Sequence, residues 1–197
     1  MRIAVFGSGG VGGFFGGKLA QAGEEVIFIA RGRHLDAIRR DGLRVESVGG
    51  DFRIRPARAE SDPILVGPVD VVLVGVKAWQ VPEAAQAIQP LVGPATVIIP
   101  LQNGVEAAAQ LAAVLGAQYV AWGLCRISCL VAAPGVIRHV GIEPYIGFNW
   151  LDRHPDPRLE ALQAAFGRVG VKAEIPEDIQ VKVWKKFVFI AAIRIWE

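Results

Sequence analysis

An α/β fold, a Rossmann-type doubly wound sheet with added antiparallel strands, is what this sequence predicts, on three observations. Apolar runs of buried-strand type recur at residues 3–6, 26–30, 69–76 and 96–100. Segments of helical pattern separate them, and a glycine-rich turn, Gly7-Ser8-Gly9-Gly10-Val11-Gly12, follows the first run directly. Strands that alternate with helices imply parallel βα units, because a parallel pair needs a crossover long enough to hold a helix.

The first strand, IAVF at residues 3–6, is continuously apolar, as a strand covered on both faces requires. Gly7, Gly9 and Gly12 then stand in GxGxxG register. Gly7 permits the tight turn, Gly9 lets a pyrophosphate meet bare backbone, and Gly12 lets the following helix pack closely on the sheet. That helix covers 11–22 and ends at Gly23; its N-terminus offers free N–H groups and a partial charge of about +0.5 to an anion. Gly7, Ser8, Gly9, Gly10, Val11 and Gly12 are therefore expected to bind a dinucleotide, the plainer alternative being a glycine-rich turn between packed elements. The second strand, 26–30, runs into Ala30-Arg31-Gly32-Arg33 with no carboxylate where an NAD site places one. The planar guanidinium of Arg31 suits the additional phosphate of NADP(H). Otherwise Arg31 and Arg33 are a solvated pair at the start of a helix.

A short helix over 33–40 stops at Asp41-Gly42, and residues 43–48 and 52–57 alternate around Gly49-Gly50-Asp51 as a hairpin does. After a breaker-rich connection at 63–68, the strand 69–76 ends in Lys77-Ala78-Trp79-Gln80. Pro82 opens a helix that runs to Ile88, and the strand 96–100 leads through Leu101-Gln102-Asn103-Gly104 into an Ala-rich helix over 105–115. Residues 119–148 read as a meander expected to extend the same sheet with antiparallel strands. A polar stretch at 152–157 precedes a helix over 158–169 and a short strand at 172–175, and Pro176-Glu177-Asp178 launches the last helix with acids in its first turn. The expected division is 1–175, an NADP-binding domain, and 176–197, which holds the last helix.

With 52% hydrophobic and 20% charged residues among 197, the composition is that of a well-buried chain. A net charge of +2 without a basic run argues against nucleic acid as a partner. Two cysteines are too few for a disulfide framework and three scattered histidines give no metal cluster. The first strand begins at once and no apolar stretch nears the ~20 residues of a membrane span, so a cytoplasmic protein with no membrane contact is expected.

Ligands of an open α/β sheet bind beyond the carboxyl ends of its strands. That rule selects the glycine turn, Arg31, Lys77 and Asn103 and expects them to line one crevice. Lys77 would hold a phosphate or a substrate carboxylate, or else closes a helix turn at the surface. Asn103 would bond the nicotinamide amide or a substrate oxygen, or is the ordinary Asn of an Asn-Gly turn. On the last helix Ile179, Val183, Lys186, Ile190 and Ile193 share a stripe on which Lys186 is the one polar member. Desolvation, helped by repulsion from Lys182, would lower its pKa and let it protonate a developing alkoxide. The alternative is a lysine that snorkels to water. Cys125 and Cys129, expected on one face of one strand, read as core, and His139 as an ordinary strand histidine. Residues 187–193 are apolar on every face, so this helix is expected to be sequestered, for instance in a homo-oligomer, or to aggregate.

Jointly these motifs resemble the ketopantoate reductase (2-dehydropantoate 2-reductase) family. The resemblance rests on residues 7–23, Arg31, KAWQ at 77–80, LQNG at 101–104, PGVIRHVG at 134–141 and VWKKF at 183–187, in the family's order. It implies a Rossmann domain, a helical second domain, and NADPH-dependent reduction of a small 2-oxoacid, ketopantoate to pantoate in pantothenate synthesis. It also implies that Lys186 is the proton donor and that Lys77 and Asn103 serve the cofactor and active site. Where the family has substrate-binding asparagines after the lysine, this sequence has Ile190 and Arg194. The resemblance makes 176–197 the first helix of a truncated helical C-terminal domain, which in the family continues for roughly a hundred further residues by the usual size of a domain. A non-catalytic NADP-binding module and a related 2-oxoacid or 3-hydroxyacid dehydrogenase are the alternatives.

Overall fold

The first apolar run forms strand β1 (Arg2–Phe6), and helix α1 (Gly10–Gln21) carries the chain to β2 (Glu25–Ile29), parallel to β1 in the register Arg2–Glu25 to Phe6–Ile29. This is a computed structural model, which describes the backbone of residues 1–194 and side chains through residue 192. The expectations for the side chains of Ile193 and Arg194 and for the end at Glu197 lie outside these residues. Helix α2 (Gly32–Asp41), the hairpin β3 (Leu43–Ser47) and β4 (Phe52–Ile54), and β5 (Arg58–Glu60) follow. Then come β6 (Val69–Val74), α3 (Val81–Ala87) and β7 (Val92–Pro100).

The central sheet has the order β5-β2-β1-β6-β7 with every pair parallel. Alternate residues of its strands feed two apolar layers, as the period of two demands. Ile3, Val5, Phe28 and Leu73 pack with Phe14 and Phe15 of α1, while Ala4, Phe6, Ile27 and Val72 pack with Val81 and Ile88 on the other face.

The strand expected over 52–57 ends already at Ile54, and Arg58–Glu60, where no strand is expected, becomes the edge strand of the central sheet. Only Ala59 of β5 turns inward, so the segment carries almost no apolar signal.

The remaining elements are α4 (Ala107–Leu115), β8 (Trp122–Arg126), β9 (Cys129–Ala133), β10 (Val136–His139) and β11 (Tyr145–Asn149), then α5 (Pro157–Arg168), β12 (Lys172–Glu174) and α6 (Ile179–Arg194). The antiparallel strands expected to extend the central sheet form two further sheets instead, β4-β3-β10-β9 and β12-β11-β8. A single bridge between Ile98 and Val120 touches the central sheet. The edge of β3 leaves backbone groups to be satisfied, and β10 takes them in parallel, from Arg44–Val136 to Ser47–His139. Cys125 on β8 and Cys129 on β9 consequently lie in different sheets, not on one strand. Both are free thiols whose pKa burial raises, that of Cys129 to about 12, which leaves them inert as core. His139 is buried between the Ser47 hydroxyl and the Ile142 carbonyl, as a structural histidine.

Asp156 anchors the start of α5. Its carboxylate accepts from the Arg158 guanidinium and backbone N–H and from the Trp150 indole N–H at 2.9 Å, and the Arg158 contact above all holds its pKa down to about 2. A depressed folded pKa stabilises fully above the ordinary carboxylate range near 4, and the contribution disappears as pH falls toward 2. Asp156→Ala is expected to cost about 1.5–3 kcal/mol at neutral pH, as for buried hydrogen bonds to a charge. The difference from the parent in denaturant titrations should shrink as the pH is lowered to 2; a difference constant with pH would contradict this account.

Candidate active site

At the end of β1 the chain turns through Gly7 at φ +93°, where an added Cβ would also lie 2.7 Å from the backbone nitrogen of Val76. A Cβ on Gly12 would stand 2.2 Å from the Gly7 carbonyl oxygen. Gly9 differs from both, since a Cβ there would meet none of the described atoms within 4 Å. Gly9 caps α1 without a side-chain cap, and its own backbone borders the open side at the start of the helix.

That open side is a cleft of about 290 Å³ lined by Gly7, Ser8, Gly9, Arg31 and Lys77, with His34, Gln80 and Glu83 among the others. Gly10, Val11 and Gly12 do not line it. Gly10 faces β9, where a Cβ would fall 2.6 Å from the Cys129 carbonyl oxygen; Val11 packs on the core; Gly12 lies beneath Gly7. Ser8 contributes backbone only, because its hydroxyl turns inward and donates to the carbonyls of Val5 and Ile29 at 3.2 and 3.1 Å. Arg31 is largely exposed and stands 3.7 Å from Glu83, an ion pair too solvated to hold it firmly. The Lys77 backbone N–H donates to Gln80 Oε1 at 3.1 Å, which sets the turn that presents the lysine.

Sequence reasoning missed His34. Its Nδ1 accepts the Gly135 N–H at 3.0 Å, so Nε2 carries the proton and donates to the Ser8 carbonyl at 2.8 Å. His34 thereby ties the glycine turn to the β9–β10 turn, a contact spanning a hundred residues that no local pattern marks. Gln102 was also missed: its Nε2 donates to the carbonyls of Val74 and Val76 at 2.8 and 2.9 Å and straps the loop after β7 to the end of β6.

Asn103 lines a second cleft rather than the crevice it was expected to share with Lys77. This basin, about 320 Å³, is bounded by Gln102, Asn103, Leu124, Val183, Lys186, Phe187 and Ile190. It exists because α6 comes down on the loop after β7. A neighbouring cleft of about 420 Å³ shares Asn103 and Phe187 with it and reaches Trp79, beside Lys77. The Lys186 ammonium donates to Asn103 Oδ1 at 2.8 Å, so the two residues selected separately from the sequence meet. Burial among apolar neighbours lowers the Lys186 pKa, while the buried Cys125 thiol acts weakly the other way. Lys182 plays no part in that shift, contrary to expectation. Its ammonium sits on Glu174, which also accepts from the Tyr145 hydroxyl at 2.9 Å, and Glu174, held down to about 2 chiefly by Lys182, neutralises it.

A parallel sheet, a glycine turn under an uncapped helix N-terminus and clefts at the carboxyl ends of the strands define a Rossmann-type α/β protein. The chain belongs to the ketopantoate reductase family: the family model described as "Ketopantoate reductase PanE/ApbA" matches residues 3–148. It is 33% identical over 194 residues to the uncharacterized oxidoreductase YkpB of Bacillus subtilis, covering 98% of this chain and 63% of that protein. It is 34% identical to the 2-dehydropantoate 2-reductase of Halobacterium salinarum, covering 94% and 61%. The crystal structure of 2-dehydropantoate 2-reductase from Porphyromonas gingivalis W83 superposes with a TM-score of 0.91 at 35% identity, covering 96% of this chain and 69% of the other. The chain thus spans about three fifths of the length of these curated relatives.

Proposed function

We propose that the site serves the NADPH-dependent reduction of a 2-oxoacid to the 2-hydroxyacid, and the observation that carries this reading is the 2.8 Å hydrogen bond from Lys186 to Asn103 at the edge of an apolar basin. A third cleft shares Asn103 with this basin and reaches Trp79, two residues from the Lys77 of the cleft suited to a dinucleotide. The space left open at Gly9 and the free helix N-terminus fit a pyrophosphate, and Arg31, with no carboxylate at the end of β2, fits the additional phosphate of NADP(H). Lys77, on the same rim, serves the phosphates or the substrate carboxylate.

When bound, the cofactor supplies the hydride. Lys186 supplies the proton: desolvation makes its ammonium a stronger acid than an exposed lysine, and it gives one N–H to Asn103 while the others remain for the substrate's keto oxygen. Asn103 fixes the direction of that donor, and the neutral amine left after transfer keeps the same hydrogen bond. In this reading residues 1–175 are the nucleotide-binding domain and α6 opens a helical one. Val188 and Phe189 of α6 are exposed, and their cover by further chain or by a second copy belongs to the same reading.

Oxidation of NADPH on addition of ketopantoate, the oxo form named in the relatives, and of a panel of other 2-oxoacids tests the reaction. Binding of NADPH with no oxidation by any of them would leave a cofactor-binding module. Arg31→Ala is expected to weaken NADPH by about 1–3 kcal/mol and leave NADH unchanged, as for loss of a charge-assisted contact. Equal calorimetric affinities of the parent for the two nucleotides would remove Arg31 from the site.

A further inference from the structure

We infer that the basin beside Lys186 selects 2-oxoacids whose tail is branched and wholly apolar over those whose tail carries a hydroxyl, an inference that rests on the 2-oxoacid reading above. The polar side chains of this basin gather at one end, on Gln102, Asn103 and Lys186. Among the described residues, Leu124, Val183, Phe187, Ile190 and Ala191 make the rest of the side-chain wall hydrocarbon. A 2-oxoacid has its own polarity at one end, with the carboxylate and keto oxygen on adjacent carbons. Seating that end on Lys186 and Asn103 sends the tail against the apolar wall.

A hydroxyl on that tail, set against Leu124, Val183, Phe187 and Ile190, would exchange water for hydrocarbon with no partner among those side chains. The polar groups nearby are largely committed. Gln102 Nε2 donates to two carbonyls, the Cys125 thiol faces the Leu101 carbonyl at 3.4 Å, and Asn103 Oδ1 holds Lys186. Gln102 Oε1 alone is a buried side-chain atom without a partner among the described residues, and a hydroxyl that reached it would reverse the preference.

A matched pair of acids tests this, because trimethylpyruvate is ketopantoate with the hydroxyl replaced by hydrogen. The full chain, saturated with NADP+, is titrated calorimetrically with each. Trimethylpyruvate is expected to bind at least about tenfold more tightly, within the roughly hundredfold by which an apolar pocket discriminates against an added hydroxyl. Ile190→Asn, which offers the hydroxyl a partner, should reduce that ratio about tenfold or more; the parent ratio decides the matter even if the variant does not fold. Equal affinities, tighter ketopantoate, or binding of neither acid overturns the inference. Turnover is read separately. Reduction of both acids with ketopantoate preferred and bound more tightly would sink the selectivity and keep the reductase, whereas selective binding without NADPH oxidation would keep the selectivity and sink the reductase.

Discussion

Lys186→Ala is expected to lower turnover of a 2-oxoacid by about two to four orders of magnitude, the range for loss of a general acid, with little change in NADPH affinity. The lysine lines the second basin and none of the described part of the first, which is why binding and turnover should separate. Lys185 is the control, since it occupies the exposed flank of α6 among Val181, Trp184 and Val188. A larger loss from Lys185→Ala would place the donor one residue earlier. The pH profile adds an independent check. A general acid must be protonated, so the rate falls as pH rises through its pKa, and desolvation puts that limb below the 10.5 of an ordinary lysine. The limb should vanish in Lys186→Ala.

Gly12→Ala is expected to destabilise the fold by about 3 kcal/mol or more, at or above the upper end for overpacking, because the new methyl would fall 2.2 Å from the Gly7 carbonyl oxygen and neither backbone can yield. Gly9→Ala should leave stability nearly unchanged, since its methyl meets no described atom within 4 Å, and should weaken NADPH severely by occupying the cleft. Denaturant melts paired with calorimetry on the two variants separate the roles of the two glycines. Normal NADPH affinity in Gly9→Ala would move the pyrophosphate away from this turn.

The parts of the fold legible in the sequence are those whose cause is local. The apolar run of β1, the glycine register and the break at Gly23 each follow from which side chains a turn or a covered strand admits. Lys186 stood out because a helix face is a matter of spacing, and Val183, Lys186 and Ile190 do line one basin. The Lys77 and Asn103 positions followed from the rule for strand ends, though the rule puts them in one crevice and they lie in separate clefts.

What the sequence by itself determined was the βα order, the glycine-rich turn and the stripe on α6, since hydrophobic period and turn chemistry operate over a few residues. Only the tertiary structure decided which strand edges meet. It set β5 at the rim of the central sheet with a single inward residue, and it gave β10 to β3 instead of to the sheet that precedes it. It also decided which charges and polar groups find each other: Glu174 for Lys182, Ser8 and Gly135 for His34, Asn103 for Lys186. These contacts join residues from 8 to 101 positions apart, and their free energy depends on burial and distance that exist only once the layers have packed.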